Sequence, residues 1–452
     1  MLEDWVNNKE VNYRILIYPN ITHRQIEKDS YIDLLPSILS YLNKLRDDLH
    51  FTLFLPKELE VFNLPNVEQK VLPLPTSPNR MRTHFDSEVI RDLIEWKTKD
   101  WDIIYSHLPE HTLQLVNLFW NSTHHQPKVI GYCHWFETNE SMSNRAKNMF
   151  LQNINGVLQM EELGVNSLWL KEYILNKCSE FYNDKTLQRL DKIIQPHYLG
   201  ITDIDYSDTK HSKSEVKKII FNHRHNNYTG YNWLVRCLDK LYEQRKDFRV
   251  YTTMGDMDRD YAERLKTKTK SEYLSELKDM YIGIGSFKKY SAWSLSVTDG
   301  LSRGIPYILP NDLVYAEMVG DRYPLLYEND EDNFLALLNN VLDKPQLRNS
   351  ARDYIEPMME QFLWDKRISK WFGGWNSIFD GNNYSCSKTD GSSYKKVIKY
   401  ISEKKYATKS EVYKMLGWGV TFTFSGIRNS LRNDKRIKLT SDGYEWKNTI
   451  TQ

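Results

Sequence analysis

Apolar positions in the first two hundred residues follow two periods. Short β-branched and aromatic runs at Tyr13–Tyr18, 51–55, 103–105, 129–133 and 157–160 predict buried strands, with longer amphipathic stretches between them. Within 31–45, Ile32, Leu35, Ile38, Leu39, Leu42 and Leu45 fall three or four apart, one helical face turned toward a sheet. A polar stretch at 202–215 breaks the rhythm, and a second series follows: strand 218–222, helix Tyr231–Gln244, strand 248–253, a helix around 272–278, and strands 280–284 and 306–309. Strands that alternate with helices predict α/β architecture with parallel, doubly wound sheets. Two Rossmann-like domains facing across a cleft are the expectation. Ligands of such sheets sit beyond the carboxyl ends of the strands, so 19–22, 134–138, 223–229 and 285–301 are the expected crevice walls.

Residues 349–379 read as helical and rich in aromatics, whereas 380–393 (DGNNYSCSKTDGSS) is too polar to pack and reads as a tether. Beyond it the pattern gives a helix at 394–404, a helix at 409–416 after a Thr408 cap, a helix at 424–432, and strands at 436–439 and 444–446 around Ser441-Asp442-Gly443. Three helices and a hairpin predict a winged helix-turn-helix, whose third helix enters the major groove while the hairpin touches the backbone. The predicted boundaries are 1–204 and 205–350 for the two lobes, 351–381 for a crossover helical segment, 382–393 for the linker and 394–452 for the winged helix.

With 452 residues the chain is too long for one ordinary domain. Its 61 Lys and Arg against 60 Asp and Glu give a net charge of +1, which by itself points to no polyanion. The distribution changes that picture: 382–452 holds fourteen Lys or Arg and six Asp or Glu, a surplus of eight, and the preceding chain is acidic. In the winged-helix reading Arg428, Asn429, Arg432 and Asn433 face a duplex, and Lys435, Arg436 and Lys438 meet phosphates. Four scattered cysteines without a C-x-x-C pair predict a reduced compartment rather than a disulfide scaffold. No apolar run nears the roughly 20 residues needed to span a bilayer. Work in the cytoplasm is expected.

Residues 219–255, IIFNHRHNNYTGYNWLVRCLDKLYEQRKDFRVYTTMG, resemble the opening of the nucleotide-binding lobe in retaining GT-B glycosyltransferases (the family 4-like group). The NHR start looks like that of tRNA-queuosine mannosyltransferases. Residues 294–317, SLSVTDGLSRGIPYILPNDLVYAE, are similar to the segment in which an acidic residue precedes a small-x-x-x-Gly-x-Pro strand. FLWDKRISKWFGGW resembles the C-terminal helix that crosses back to the first lobe. The likeness covers about 13–380. It implies an acceptor-side first lobe and a second lobe that binds a nucleotide sugar. Two departures stand out: where the family has Glu, seven residues, Glu, this chain has Ser291 and Asp299, and the Gly-Gly of the first loop is replaced by Pro19-Asn20-Ile21.

Transfer from a nucleotide sugar requires stabilising the charge that grows on the departing diphosphate, which fixed cations and backbone N–H groups do well. Arg224, just past a strand end, is the first candidate, with Lys288 or Lys289 as a second clamp. By resemblance Asp299 accepts from the ribose hydroxyls, Glu317 lies near the nucleotide, and Ser291, Trp293, Ser294 and Leu295 line the donor side. His134, after the strand 129–133, would enter the crevice from the first lobe and bond the sugar or shuttle a proton. Glu137, His107 and Glu110 are further candidates of that kind. Asp203-Ile-Asp205 lies in the polar connection and is read as a chance D-x-D, and His223-Arg-His225 lacks a second ligand cluster, so catalysis without an essential metal is expected.

The resemblance and the basic C-terminal segment together imply a transferase, UDP-sugar-dependent by family habit, acting with retention on a hydroxymethylated pyrimidine in DNA, as bacteriophage DNA glucosyltransferases do. Double-stranded DNA and a nucleotide sugar are the expected partners. A transferase for modified tRNA, or a DNA-binding protein with a degenerate transferase lobe, are the alternatives.

Overall fold

A computed structural model describes residues 13–21, 30–72, 82–93, 101–123, 127–133, 136, 144–207, 216–288, 290–379, 391–408, 411–412, 437–440 and 443–446. The chain forms two compact units, Met1–Phe372 and Gly373–Gln452.

The first unit contains two parallel sheets. One is built from β1 (Tyr13–Tyr18), β2 (Leu49–Leu55), β3 (Val67–Val71), β4 (Ile103–Ser106), β5 (Lys128–Cys133), β6 (Glu162–Val165) and β7 (Ile194–Pro196), in the order β3-β2-β1-β4-β5-β6-β7. Its helices are α1 (Ser30–Leu45), α2 (Ser87–Leu93), α3 (Pro109–Thr123), α4 (Asn144–Val157), α5 (Leu168–Cys178) and α6 (Asp184–Ile193). The second sheet runs β10-β9-β8-β11-β12-β13, from β8 (Lys217–Phe221), β9 (Phe248–Thr252), β10 (Ala262–Arg264), β11 (Ile282–Ile284), β12 (Tyr307–Pro310) and β13 (Leu326–Tyr327). Around it lie α7 (Tyr231–Gln244), α8 (Lys270–Leu277), α9 (Leu295–Leu301), α10 (Tyr315–Val319), α11 (Glu331–Asp343) and α12 (Pro345–Met359). Both orders reverse beside the first strand, which is the topological switch point where doubly wound sheets open a crevice. Each sheet has its own apolar core, drawn from the fully buried faces of its strands.

Where the reading of 157–160 predicted a strand, Val157 ends α4, a turn follows, and the strand comes at β6. A short apolar run fits a buried helix end as well as a strand, and here Gly156 decides: a Cβ there would lie 1.7 Å from the Pro109 carbonyl oxygen, so this helix turn packs directly on α3. Strand β3 had no prediction. Its sequence VEQKV is a polar sheet edge, half-buried or exposed throughout.

The two lobes are tied by α13 (Trp364–Phe379). Ile201 and Leu363 form a parallel bridge, with Ile201 N donating to Phe362 O and Trp364 N donating to Ile201 O. Trp371 then stacks between Tyr132 and His197, each at 5.1 Å, and its indole N–H donates to Tyr198 O. A Cβ on Gly200 would fall 2.3 Å from the Trp364 ring, so only glycine admits that tryptophan.

In the second unit α14 (Gly391–Lys404) leads into β14 (Tyr406–Thr408). With β15 (Ile437–Leu439) and β16 (Gly443–Trp446) it makes an antiparallel sheet of order β14-β16-β15 over a core of Val397, Ile401, Ala407, Val412, Ile437 and Tyr444. The Thr408 cap is present: its hydroxyl accepts from Glu411 N at 3.1 Å and Glu411 accepts from Thr408 N at 3.0 Å, a reciprocal capping box. The helix predicted at 424–432 and most of the one at 409–416 lie outside the described residues. Among the described residues no helix is long and apolar enough to cross a membrane.

Candidate functional site

Strand β8 delivers Asn222, His223 and Arg224 to the carboxyl edge of the second sheet. The turn beyond is fixed by Thr229, whose hydroxyl lies 2.7 Å from both the Arg224 and Asn226 carbonyls. Gly230 follows at φ 73°, and a Cβ on it would lie 1.8 Å from Ser286 O. Ser286 Oγ in turn donates to Thr229 O at 2.7 Å, so the loops after β8 and β11 are tied together. On this scaffold Arg224 is exposed, and its guanidinium carries no ion pair among the described residues. The neighbouring His223 is buried, its Nε2 has no hydrogen-bond partner, and it meets Phe287 edge-on at 4.9 Å. Burial pushes its pKa down to about 3, so it is neutral.

Asp299, on α9, is 15% exposed and anchors a directional network. Tyr307 donates to Asn222 Oδ1 at 3.2 Å; Asn222 Nδ2 donates to Tyr273 Oη at 2.7 Å and to Ser296 O at 2.8 Å. With its oxygen thus accepting, Tyr273 has its own proton for Asp299, to which it is hydrogen-bonded. Lys270 Nζ approaches Asp299 Oδ2 at 2.6 Å. Burial pushes the Asp299 carboxyl above the usual carboxylate range, with the Lys270 ammonium pulling the other way, and the Asp33 charge from α1 of the first lobe adds to the rise.

Glu317 does something sequence reasoning did not foresee. Its carboxylate accepts from Leu168 N at 2.6 Å, from Trp169 N at 2.8 Å and from the Tyr198 hydroxyl. A residue of the second lobe therefore caps α5 of the first, where unsatisfied N–H groups favour an anion. Burial raises its carboxyl. The segment after β11 reaches the same way: Tyr290 meets Trp169 and Tyr173 at 5.4 and 5.8 Å, and Ala292 is part of the first lobe's core.

The other candidates are dispersed. Ser291 is buried with its hydroxyl 3.5 Å from Tyr315 Oη; Trp293 lies between Tyr198 and Phe362; Ser294 caps α9 by accepting from Val297 N, and Leu295 is half-buried behind it. Lys288, a proposed clamp, sits 3.2 Å over the Trp233 ring with Nζ 2.5 Å from Asn329 Oδ1, and burial lowers its pKa to about 8. In this arrangement it serves α7 and the loop after β13. In the first lobe His107 is buried among Tyr31, Tyr105 and Tyr132, and Glu110 pairs with Arg82 at 2.5 Å and Asn153 at 2.7 Å. Asp203 is paired with Arg303 and Asp205 with Lys278, so both carboxylates of the D-x-D are engaged in ion pairs. His134, Glu137 and Lys289 lie outside the described residues, as do Arg428, Asn429, Arg432, Asn433, Lys435 and Arg436. Lys438 is exposed and faces Glu445 across the β15–β16 pair, 3.1 Å apart. Lys270, Tyr273 and Asn222 had no sequence signal, because 26 to 77 residues separate them from Asp299 and no fixed spacing links them.

The sequence matches no protein-family model and no curated protein. The structure, in contrast, is similar to many solved ones. Sucrose-phosphate synthase from Thermosynechococcus elongatus is 12% identical, with a TM-score of 0.62 over 82% of this chain and 100% of that one. HepE of Anabaena, in complex with UDP and glucose, gives 10%, 0.58, 81% and 100%. The α,α-trehalose 6-phosphate synthase from Burkholderia multivorans gives 9%, 0.58, 82% and 98%. At such identities the likeness speaks for the fold alone, and that fold is the paired Rossmann-like architecture of the GT-B glycosyltransferases.

Proposed function

We propose that this chain is a glycosyltransferase that moves a sugar from a nucleotide sugar, most simply a UDP-sugar, to a hydroxymethylated pyrimidine base in DNA, with retention of configuration. The observation that carries the reading is Arg224. It is an exposed cation without an ion pair among the described residues, fixed at the carboxyl end of β8 in a fold that in HepE is described with UDP and glucose. A guanidinium there stabilises the diphosphate as it departs, and a preorganised charge costs no rearrangement during the reaction. Asp299 supplies acceptor oxygens for the ribose diol. The incoming hydroxyl attacks on the face the diphosphate leaves, and the diphosphate takes up its proton, so the chain provides no nucleophile. No essential metal is invoked; the cationic role falls to Arg224.

The acceptor class rests on the second unit. The surplus of eight positive charges over 382–452, the leading helix and the sheet order β14-β16-β15, in which the strand after the first helix pairs with a C-terminal hairpin, support a winged-helix module that holds duplex DNA. A base hydroxyl within a duplex reaches the interlobe crevice by flipping out of the stack.

The test is incubation of the full chain with hydroxymethylcytosine DNA, hydroxymethyluracil DNA and tRNA, each with labelled UDP-, GDP- and ADP-sugars, followed by nucleoside mass measurement. A hexose-bearing pyrimidine is the expected product. Label only in tRNA would move the acceptor to RNA, and no transfer or donor hydrolysis with any pair would refute the enzymatic reading.

A further inference from the structure

The Asp299 network holds a charged residue that takes no part in the transfer steps themselves. We infer that Lys270 is a positioning residue of the donor site: it grips Asp299 Oδ2 so that the carboxylate's remaining acceptor directions are held toward the ribose diol. This rests on the reading of Asp299 as the diol acceptor.

The geometry argues for it in three steps. A carboxylate offers about four acceptor directions. Lys270 and Tyr273 take two of them, and two remain, the number a vicinal diol requires. Because Tyr273 accepts from Asn222 Nδ2, its hydroxyl proton is directed to Asp299. Lys270 itself stands at the first residue of α8, whose start is fixed by Thr269 accepting from Glu272 N and by Glu272 accepting from Lys268 N, so its ammonium is presented from a rigid position. Its side chain is 47% exposed, so it is not packed as core.

The charges facing Asp299 decide what Lys270 adds. Asp33 of α1 opposes ionisation; Arg303 and Lys270 favour it, and Tyr273 and Tyr307, raised well above the usual phenol range, stay protonated. Arg303 is already committed to Asp203. Lys270 is thus the cation that favours the acceptor, carboxylate form of Asp299 against burial and Asp33. A protonated Asp299 would present a donor where the diol needs an acceptor.

Calorimetric titration of UDP, GDP and ADP into wild-type, Lys270→Met and Lys270→Arg proteins from pH 6 to pH 8 tests this. Relative to wild type, Lys270→Met is expected to lose affinity for the preferred nucleotide increasingly as pH falls, by at most about tenfold per pH unit, and Lys270→Arg restores the wild-type profile. Asp299→Asn, which cannot titrate, binds weakly and keeps only the pH dependence of the nucleotide's own terminal phosphate. A Lys270→Met profile that matches wild type, or one uniformly lowered at every pH, overturns the inference while leaving donor binding intact. Absence of binding by wild type to all three nucleotides would instead defeat the donor reading on which it rests.

Discussion

At residue scale, the side chains with the sharpest consequences are those whose charge state is set by burial or by isolation. Arg224 has the plainest role. Arg224→Ala should lower kcat/KM for the donor on the order of 100-fold, the cost of losing one group that stabilises developing charge. Initial rates within twofold of wild type would strike it from the site. His223 predicts a pH effect of defined sign. It stays neutral in the fold down to about pH 3, whereas an unfolded histidine protonates near 6.5. The folded chain therefore binds fewer protons, and the stability this gives is complete above roughly pH 6.5 and is lost as pH falls toward 3. His111, buried beside Tyr18 and lowered to about 4, acts in the same direction, while the raised carboxyls of Asp299 and Glu317 oppose it. Unfolding free energies from urea titrations between pH 7 and pH 4 should fall less steeply in His223→Leu than in wild type, by up to about 1.4 kcal/mol per pH unit. Parallel curves would show that His223 does not titrate in this way. Residues of this kind were half legible: Arg224 is visible as a charged position after a strand and Asp299 through the family resemblance, but their partners are not. Nothing in the order of residues tells that Lys270 meets Asp299 while Lys288 turns to Trp233.

At element scale, the alternation of buried strands and amphipathic helices was readable because parallel sheets covered on both faces need continuous apolar runs. Helix α7 was anticipated at both ends, since Gly230 and the apolar face Leu234, Val235, Leu238 and Leu241 mark it unambiguously. Strand β3 was invisible for the converse reason, and 157–160 misled because the tight approach of Gly156 to Pro109 is a tertiary fact. The glycine at the head of α7 gives an element-level prediction. Gly230→Ala would hold alanine at φ 73° and press its Cβ onto the Ser286 carbonyl, which belongs to backbone and cannot rotate away. A loss of about 2 kcal/mol is expected from the conformation and the displacement together. Because Ser286 and Thr229 join the loops after β8 and β11, which the proposed function sets beside the nucleotide, nucleotide affinity should fall with it. Unchanged denaturation and unchanged affinity would mean that the loops adjust independently of the helix start.

At the scale of the whole molecule, the lobes are joined by the α13 crossover, by the Tyr290–Ala292 segment packed on the first lobe, and by the carboxylate of Glu317 at the head of α5. The Glu317 joint is a polar contact between separately cored lobes, and its loss is local. Glu317→Ala removes the acceptor used by two backbone N–H groups and by Tyr198, a change that costs about 3 kcal/mol when the groups stay buried. The readout is amide hydrogen exchange at Leu168 and Trp169, which should quicken by about a hundredfold as that free energy is removed from local opening. Exchange confined to wild-type rates would show α5 to be capped without Glu317. The second unit yields its own prediction, since its positive charge was legible from composition and its β-sheet from the hairpin signal around Gly443, whereas the helix expected to read DNA lies outside the described residues. If 393–452 neutralises the phosphates, its removal must flatten the dependence of duplex affinity on salt by about 0.9 in log-log slope per phosphate set free, because each neutralised phosphate releases counterions. Fluorescence anisotropy with one duplex at several salt concentrations, for full-length and shortened chains, measures that slope directly. A slope shared by both would assign phosphate binding to the first unit and leave the basic C-terminal region another role. A slope reduced only in the shortened chain, with nucleotide affinity unchanged, would separate DNA capture from sugar transfer as the charge distribution predicts.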